Sequence, residues 1–223
     1  MFNLKGEKAF TLAEVLVTLG IIGVVSAMTV PTLMQNYQRK SYVTQLHKVY
    51  NELTQALLMY QTDRNALNLK EAGLISQDAV DNFITNYFKI VNSCEDLEPC
   101  FASSYKNMSG IPVTFSEKNS YVLASGAAIR PTYYNVENVL LSIVVDTNGA
   151  KGPNIAGRDV IAMYVYTNGL IDDLSNDSNA PLTEDQREKV FEEVCNSSTV
   201  NDNGNGIPGC FGKILNDNWE MNY

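Results

Sequence analysis

The sequence predicts an α+β fold: one long N-terminal helix, membrane-spanning in its first half, packed on a small antiparallel sheet with additional short helices. Three observations predict it. An apolar stretch runs from Phe10 to Leu33 with Glu14 as its only charge. Apolar residues then recur at helical steps as far as Tyr60. Beyond Cys100 the pattern changes to short runs rich in Val, Ile and Tyr, punctuated by turn dipeptides. The expected organisation is a short polar start at 1–9, a membrane helix at 10–33, and an amphipathic continuation with a globular head at 34–223.

The apolar stretch holds roughly 24 residues, which as a helix span roughly 36 Å, enough for a bilayer core of about 30 Å. Lys5 and Lys8 precede it and keep that end cytoplasmic. After Leu33 the stripe continues through Leu46, Val49, Tyr50, Leu53, Leu57 and Tyr60, with Gln45, Lys48, Asn51, Glu52 and Gln55 between. That is an amphipathic helix with one core-facing side. No glycine interrupts Leu33 to Tyr60, so one helix is expected from about Phe10 to Gln61. Pro31 should kink it, because proline removes a donor and crowds the preceding turn.

A second helix is expected over Ser76–Val91, with Val80, Phe83, Ile84, Tyr87 and Phe88 on one side. Strands are expected at Ile111–Ser116, Tyr121–Ser125, Val139–Asp146 and Val160–Thr167. Asn148-Gly149 and Asn168-Gly169 mark turns. A third helix should begin after Pro181, capped by Thr183, with Glu184 and Asp185 in its first turn and its end near Cys195. Asn201–Gly209 is rich in Asn, Asp and Gly and reads as a loop.

Composition narrows the function. The chain carries 25 acids against 16 bases, a net charge of -9. No nucleic-acid partner is expected, since phosphate binding needs a basic footprint. Cys94, Cys100, Cys195 and Cys210 form no C-x-x-C pair, and the single histidine, His47, is distant in sequence. A zinc site would need closer spacing. An even number of cysteines in an exported domain fits two disulfides, and four allow three pairings. The local pairing, Cys94–Cys100 and Cys195–Cys210, brackets two short loops and is the favoured one. The bland alternative is four buried thiols.

Glu14 is the residue that asks for a function. A carboxylate within a membrane costs on the order of 2.5–3.5 kcal/mol at a helix centre, less near an end, and usually has a partner. A cut before Phe10 would create an α-amino group four residues away. A neighbouring copy's amine could meet Glu14 directly, which fixes the axial offset between identical helices. The segment Phe10-Thr-Leu-Ala-Glu-Val, followed by its apolar run, resembles the prepilin N-terminus of type IV pilins and type II secretion pseudopilins. Gly20, Gly23 and Pro31 fall where that family carries small residues and its helix bend. The resemblance implies a pilin-like fold, cleavage between Ala9 and Phe10 by a prepilin peptidase, N-methylation of Phe10, and assembly with sister subunits through Glu14. It also implies residence in the bacterial inner membrane as a single-pass protein, head outside the cytoplasm, before incorporation into a pilus or periplasmic pseudopilus. The family usually has glycine before the cut; this chain has Ala9. No cofactor is required by this reading.

The stretch Asp146-Thr-Asn-Gly-Ala-Lys-Gly-Pro-Asn-Ile-Ala-Gly-Arg-Asp159 is similar to a segment of many pseudopilin-like proteins. Asp146, Asn148 and Asp159, with backbone carbonyls, offer the oxygen donors that calcium takes. The alternative is a turn in which Asp146 accepts from nearby amides. Neither nucleotide-binding nor hydrolase signatures occur, so an enzyme is not expected. His47 reads as a surface or packing residue. Two rival classes remain. An exported binding protein would use Val25-Ser26-Ala27 as an ordinary signal-peptide site. A membrane-anchored enzyme would need a cluster of titratable groups that no motif announces.

Overall fold

The computed structural model describes residues 11–115, 118–175, 179–197 and 207–223. It divides into two compact units, residues 1–39 and 40–223. Helix α1, Leu12–Asp63, supplies the described part of the first unit and continues into the second. It runs through Pro31 without ending. In the first unit its apolar side chains are exposed, among them Leu16, Ile21, Ile22 and Met28. Only from Val43 onward does α1 bury a stripe, through Leu46, Val49, Leu53, Leu57 and Tyr60. The spacing of these residues turns one face of the helix toward a core and leaves Asn51 and Gln55 outside.

The second unit is built on a six-stranded sheet in the order β1-β4-β5-β6-β7-β8, antiparallel throughout. The strands are β1 Ile90–Cys94, β4 Ser120–Leu123, β5 Ala128–Val136, β6 Val139–Asp146, β7 Val160–Tyr166 and β8 Ile171–Asp172. A separate pair, β2 Tyr105–Lys106 and β3 Pro112–Val113, forms a small ribbon. Both faces of the large sheet are covered, and every residue of β7 is buried. Ile143, Val145, Ile161 and Met163 share one core with α1 and with Val80, Phe83 and Ile84 of α2 (Gln77–Tyr87). Ala162, Tyr164 and Tyr166 share a second core with Phe101, Tyr105 and Leu182 on the opposite side. Alternation along each strand sends neighbouring residues to the two cores.

Several elements differ from the sequence expectation. The second helix ends at Tyr87 rather than Val91, because Phe88 turns extended and Ile90–Cys94 pairs with β4 as an edge strand. The strand expected at Ile111–Ser116 shrinks to Pro112–Val113; Ser116 lies outside the described residues. Strand β5 was not foreseen, since Arg130 and Pro131 break its apolar pattern. Pro131 is tolerated because β4 pairs only with Ile129 and Ala128, so no partner strand needs a donor from residue 131 on that side. The Gln77 side chain fills the gap: its amide donates to Pro131 O at 3.2 Å and accepts from Tyr133 N at 2.9 Å.

The third helix is α3, Glu184–Val190, opened by a capping box of Thr183 and Gln186. It passes into a π-helical segment, Phe191–Cys195. The expected loop Asn201–Gly209 lies outside the described residues through 206. A further short helix, α4, covers Cys210–Asn216.

Candidate functional site

Thr11, Leu12, Ala13 and Glu14 open α1, and Thr11 occupies the cap. Its Oγ1 accepts from Glu14 N at 3.2 Å, while Glu14 Oε2 accepts from Thr11 N at 2.9 Å. The Thr11 hydroxyl also donates to Glu14 Oε2 at 2.8 Å. This is a reciprocal capping box, which satisfies two amides that a helix start leaves unpaired. The sequence carries its signature, Thr-x-x-Glu, yet the charge of Glu14 drew attention to distant partners instead. Both bonds from Thr11 fall on one carboxylate oxygen. Ala9 and Phe10, the expected cleavage and methylation residues, lie outside the described residues.

Downstream of the box, α1 is long and apolar enough to cross a membrane. Gly20 and Gly23 have open space where a Cβ would stand. The Thr18 and Thr29 hydroxyls donate back to carbonyls of their own helix, Val15 O and Val25 O, at 3.0 Å each. Their polarity is thereby satisfied within the helix, as an apolar surrounding requires.

The family model of the prokaryotic N-terminal methylation motif matches residues 4–30. The chain carries the prepilin-type signal of type IV pilins and pseudopilins. The signal thus comprises the Thr11–Glu14 box and most of the apolar helix that follows. The family that bears this signal is structural rather than catalytic. No curated protein and no solved structure matches the chain.

In the head, Cys94 is bonded to Cys100 and Cys195 to Cys210. The first closes the loop at the end of β1. The second joins the π-helical segment to the first residue of α4. Gly157 packs close to that bridge, where an added Cβ would lie 3.1 Å from Cys210 Sγ. A positive φ of 87° also favours glycine there.

The structure brings Asp146, Asn148 and Asp159 together at the β6–β7 connection. Asp146 Oδ2 accepts from the Tyr105 hydroxyl at 2.7 Å and Oδ1 from Asn148 N at 3.2 Å. Asp159 accepts from Asn154 N at 2.8 Å and Ile155 N at 2.7 Å. The turn geometry is thus present. Burial pushes the Asp146 carboxyl up to about 7, with the charge of Asp159 adding to the rise and the Tyr105 hydroxyl opposing it. Burial raises Asp159 as well, against its backbone donors. Asn148 Oδ1 and Asn154 Oδ1 are buried without a hydrogen-bond partner. Two carboxylates and two such amide oxygens fit a hard cation by donor type. Among the described residues no three His, Cys, Asp or Glu side chains converge as a metal group. Sequence reasoning missed Tyr105 and Asn154, which are distant or neutral and carry no motif.

A second buried acidic pair, Asp172-Asp173, was also missed. Asp172 takes Arg187 in a fork, Nε on Oδ1 at 2.8 Å and Nη2 on Oδ2 at 2.7 Å. Asp173 accepts from Gly209 N at 2.7 Å and Gly212 N at 2.6 Å, at the start of α4. These two residues fasten α3 and α4 to the edge of the sheet.

Proposed function

We propose that the chain is a filament subunit, a pilin or pseudopilin. In this reading a membrane-embedded prepilin peptidase cuts between Ala9 and Phe10 and methylates the new amine. Before the cut the precursor rests in the bacterial inner membrane, with Lys5 and Lys8 on the cytoplasmic side. It then joins sister subunits through the apolar half of α1. The observation that carries the reading is the methylation motif at residues 4–30, whose residues from Leu12 onward belong to a helix with exposed apolar side chains. Burial of that face against identical helices supplies the driving force. A bend at Pro31 would let neighbouring helices pack along a polymer.

Glu14 sets the register. Its Oε2 is held by Thr11 of its own helix, and Oε1 faces no described donor. An incoming Phe10 amine would complete the carboxylate without dismantling the cap. Glu14→Ala should therefore be cut and methylated normally, as read by mass spectrometry of the N-terminus, yet yield at least tenfold fewer filaments by electron microscopy. Wild-type filament numbers from that variant would sink the register role. N-terminal sequencing that starts at Met28 would instead identify an ordinary signal peptide and overturn the filament reading.

Within this reading the β6–β7 connection is a candidate calcium site, held by Asp146, Asn148, Asn154 and Asp159. Calcium should raise the melting midpoint over chelator-treated protein, because a ligand that binds only the folded state stabilises it. Asn148→Ala should remove that difference. An identical midpoint with and without calcium would count against the site.

A further inference from the structure

We propose that the head carries a loop and a groove that fit one another between copies of the chain, head to tail. The groove is a cavity of about 350 Å³ between α1, the end of α2 and the β4–β5 turn. Lys48, Glu52 and Met59 of α1 line it, with Phe88, Lys89 and Ser125 opposite. Lys48 and Lys89 are exposed, and neither makes an ion pair among the described residues. Ser125 Oγ is buried there without a partner. Glu52 offsets one of these two lysines, so the groove keeps a net positive charge on a chain with 25 acids and 16 bases.

The loop is Cys94–Cys100. It is closed by its disulfide and by Phe101 N donating to Leu97 O at 2.7 Å. Asp96 fastens it to Arg130 at 3.1 Å, and Arg130 is buried and also donates to Lys118 O and Ser120 Oγ. Three independent ties thus hold a short segment whose Glu95 and Glu98 are exposed and unpaired among the described residues. An ordered loop loses little freedom on docking, which favours association.

Strand β1 decides which molecule the loop reaches. Lys89 precedes the strand and Cys94 ends it. The five residues of β1, six residue-to-residue steps, separate Lys89 from Glu95 by roughly 20 Å. A pinned loop cannot fold back over that distance into its own groove. A second copy's loop can enter it, which pairs Glu95 and Glu98 with Lys48 and Lys89. The contact is heterologous, since the two surfaces differ. Repeated, it builds an open chain or a ring rather than a two-fold dimer. The proposal rests on the filament reading for its setting, but each has its own readout.

The test uses the full-length chain in membranes, as an equal mixture of normal and 15N-labelled protein. A water-soluble carbodiimide joins an amine to a carboxylate with loss of water, and mass spectrometry finds the joined peptides. Mixed-isotope links from Lys48 or Lys89 to Glu95 or Glu98 are expected. In sedimentation of the detergent-solubilised chain, Lys48→Glu with Lys89→Glu should weaken self-association about tenfold. Adding Glu95→Lys and Glu98→Lys should restore it, which a merely structural role of the lysines would not do. Same-isotope links only, or an unaltered association constant after reversal, would overturn the loop–groove contact. Filaments with methylated Phe10 but without the links would overturn this contact alone. Links without filaments or methylation would leave the contact standing and sink the filament reading.

Discussion

Asp172 and Arg187 illustrate how much of the head hangs on single side chains. The Asp172 side chain is 2% exposed and that of Arg187 18%. Asp172 also accepts from Leu182 N at 2.8 Å, so its carboxylate is fully engaged. Removing one partner of such a pair strands the other charge and costs about 3–5 kcal/mol. Asp172→Ala should therefore lower the unfolding free energy by about 3 kcal/mol in urea titration. A loss below about 1 kcal/mol would show that Arg187 finds water instead. Nothing in the local sequence announces this pair, because its partners are separated along the chain and charges at such spacing are common on surfaces. Glu14 is the opposite case. Its cost in an apolar helix was legible, and so was the motif around it. The partner nearest in sequence, Thr11, was overlooked although the capping pattern was in view.

At the level of elements, periodic segments were legible and irregular ones were not. The long helix was read as Phe10–Gln61 and is observed as Leu12–Asp63; the strand Val139–Asp146 was read with its observed ends. Both are rich in apolar residues at one clear period. Strand β5 was lost because its middle holds an arginine and a proline. Its order comes from tertiary partners: β6 on one side and the Gln77 amide on the other. Gln77→Ala should leave Tyr133 N without that acceptor and destabilise the head by about 1–2 kcal/mol. Hydrogen exchange at Tyr133 should quicken, while exchange at Ile143 on the far side of β5 should hardly change. Equal quickening at both amides would argue for global rather than local loosening. The short helix α4 was also missed; its start is held by Asp173 and the Cys195–Cys210 bridge rather than by a sequence cap.

Across the whole molecule, the buried acids give the head an unusual pH response. Burial lifts Asp146 to about 7 and Asp173 to about 6, and raises Asp159 in the same direction. Unfolded aspartates titrate near 3.9. Between these values the folded head binds more protons than the unfolded chain. The stabilisation is present at low pH and lost as pH rises through about 6 to 7. The urea midpoint should be higher at pH 5 than at pH 8, and Asp173→Asn should flatten part of that slope. A midpoint that rises with pH would contradict the assignment. The tail offers a way to follow such changes. Trp219, the only tryptophan, stacks on His47 of α1 with ring centroids 3.9 Å apart, and Tyr50 meets its edge. Every photon of indole emission from this chain therefore originates at one joint, where the last residues close over the helix. Tryptophan fluorescence, excited where tyrosine does not absorb, reads that joint alone, and circular dichroism reads the sheet. A difference between the two melting curves would give the order in which tail and sheet let go.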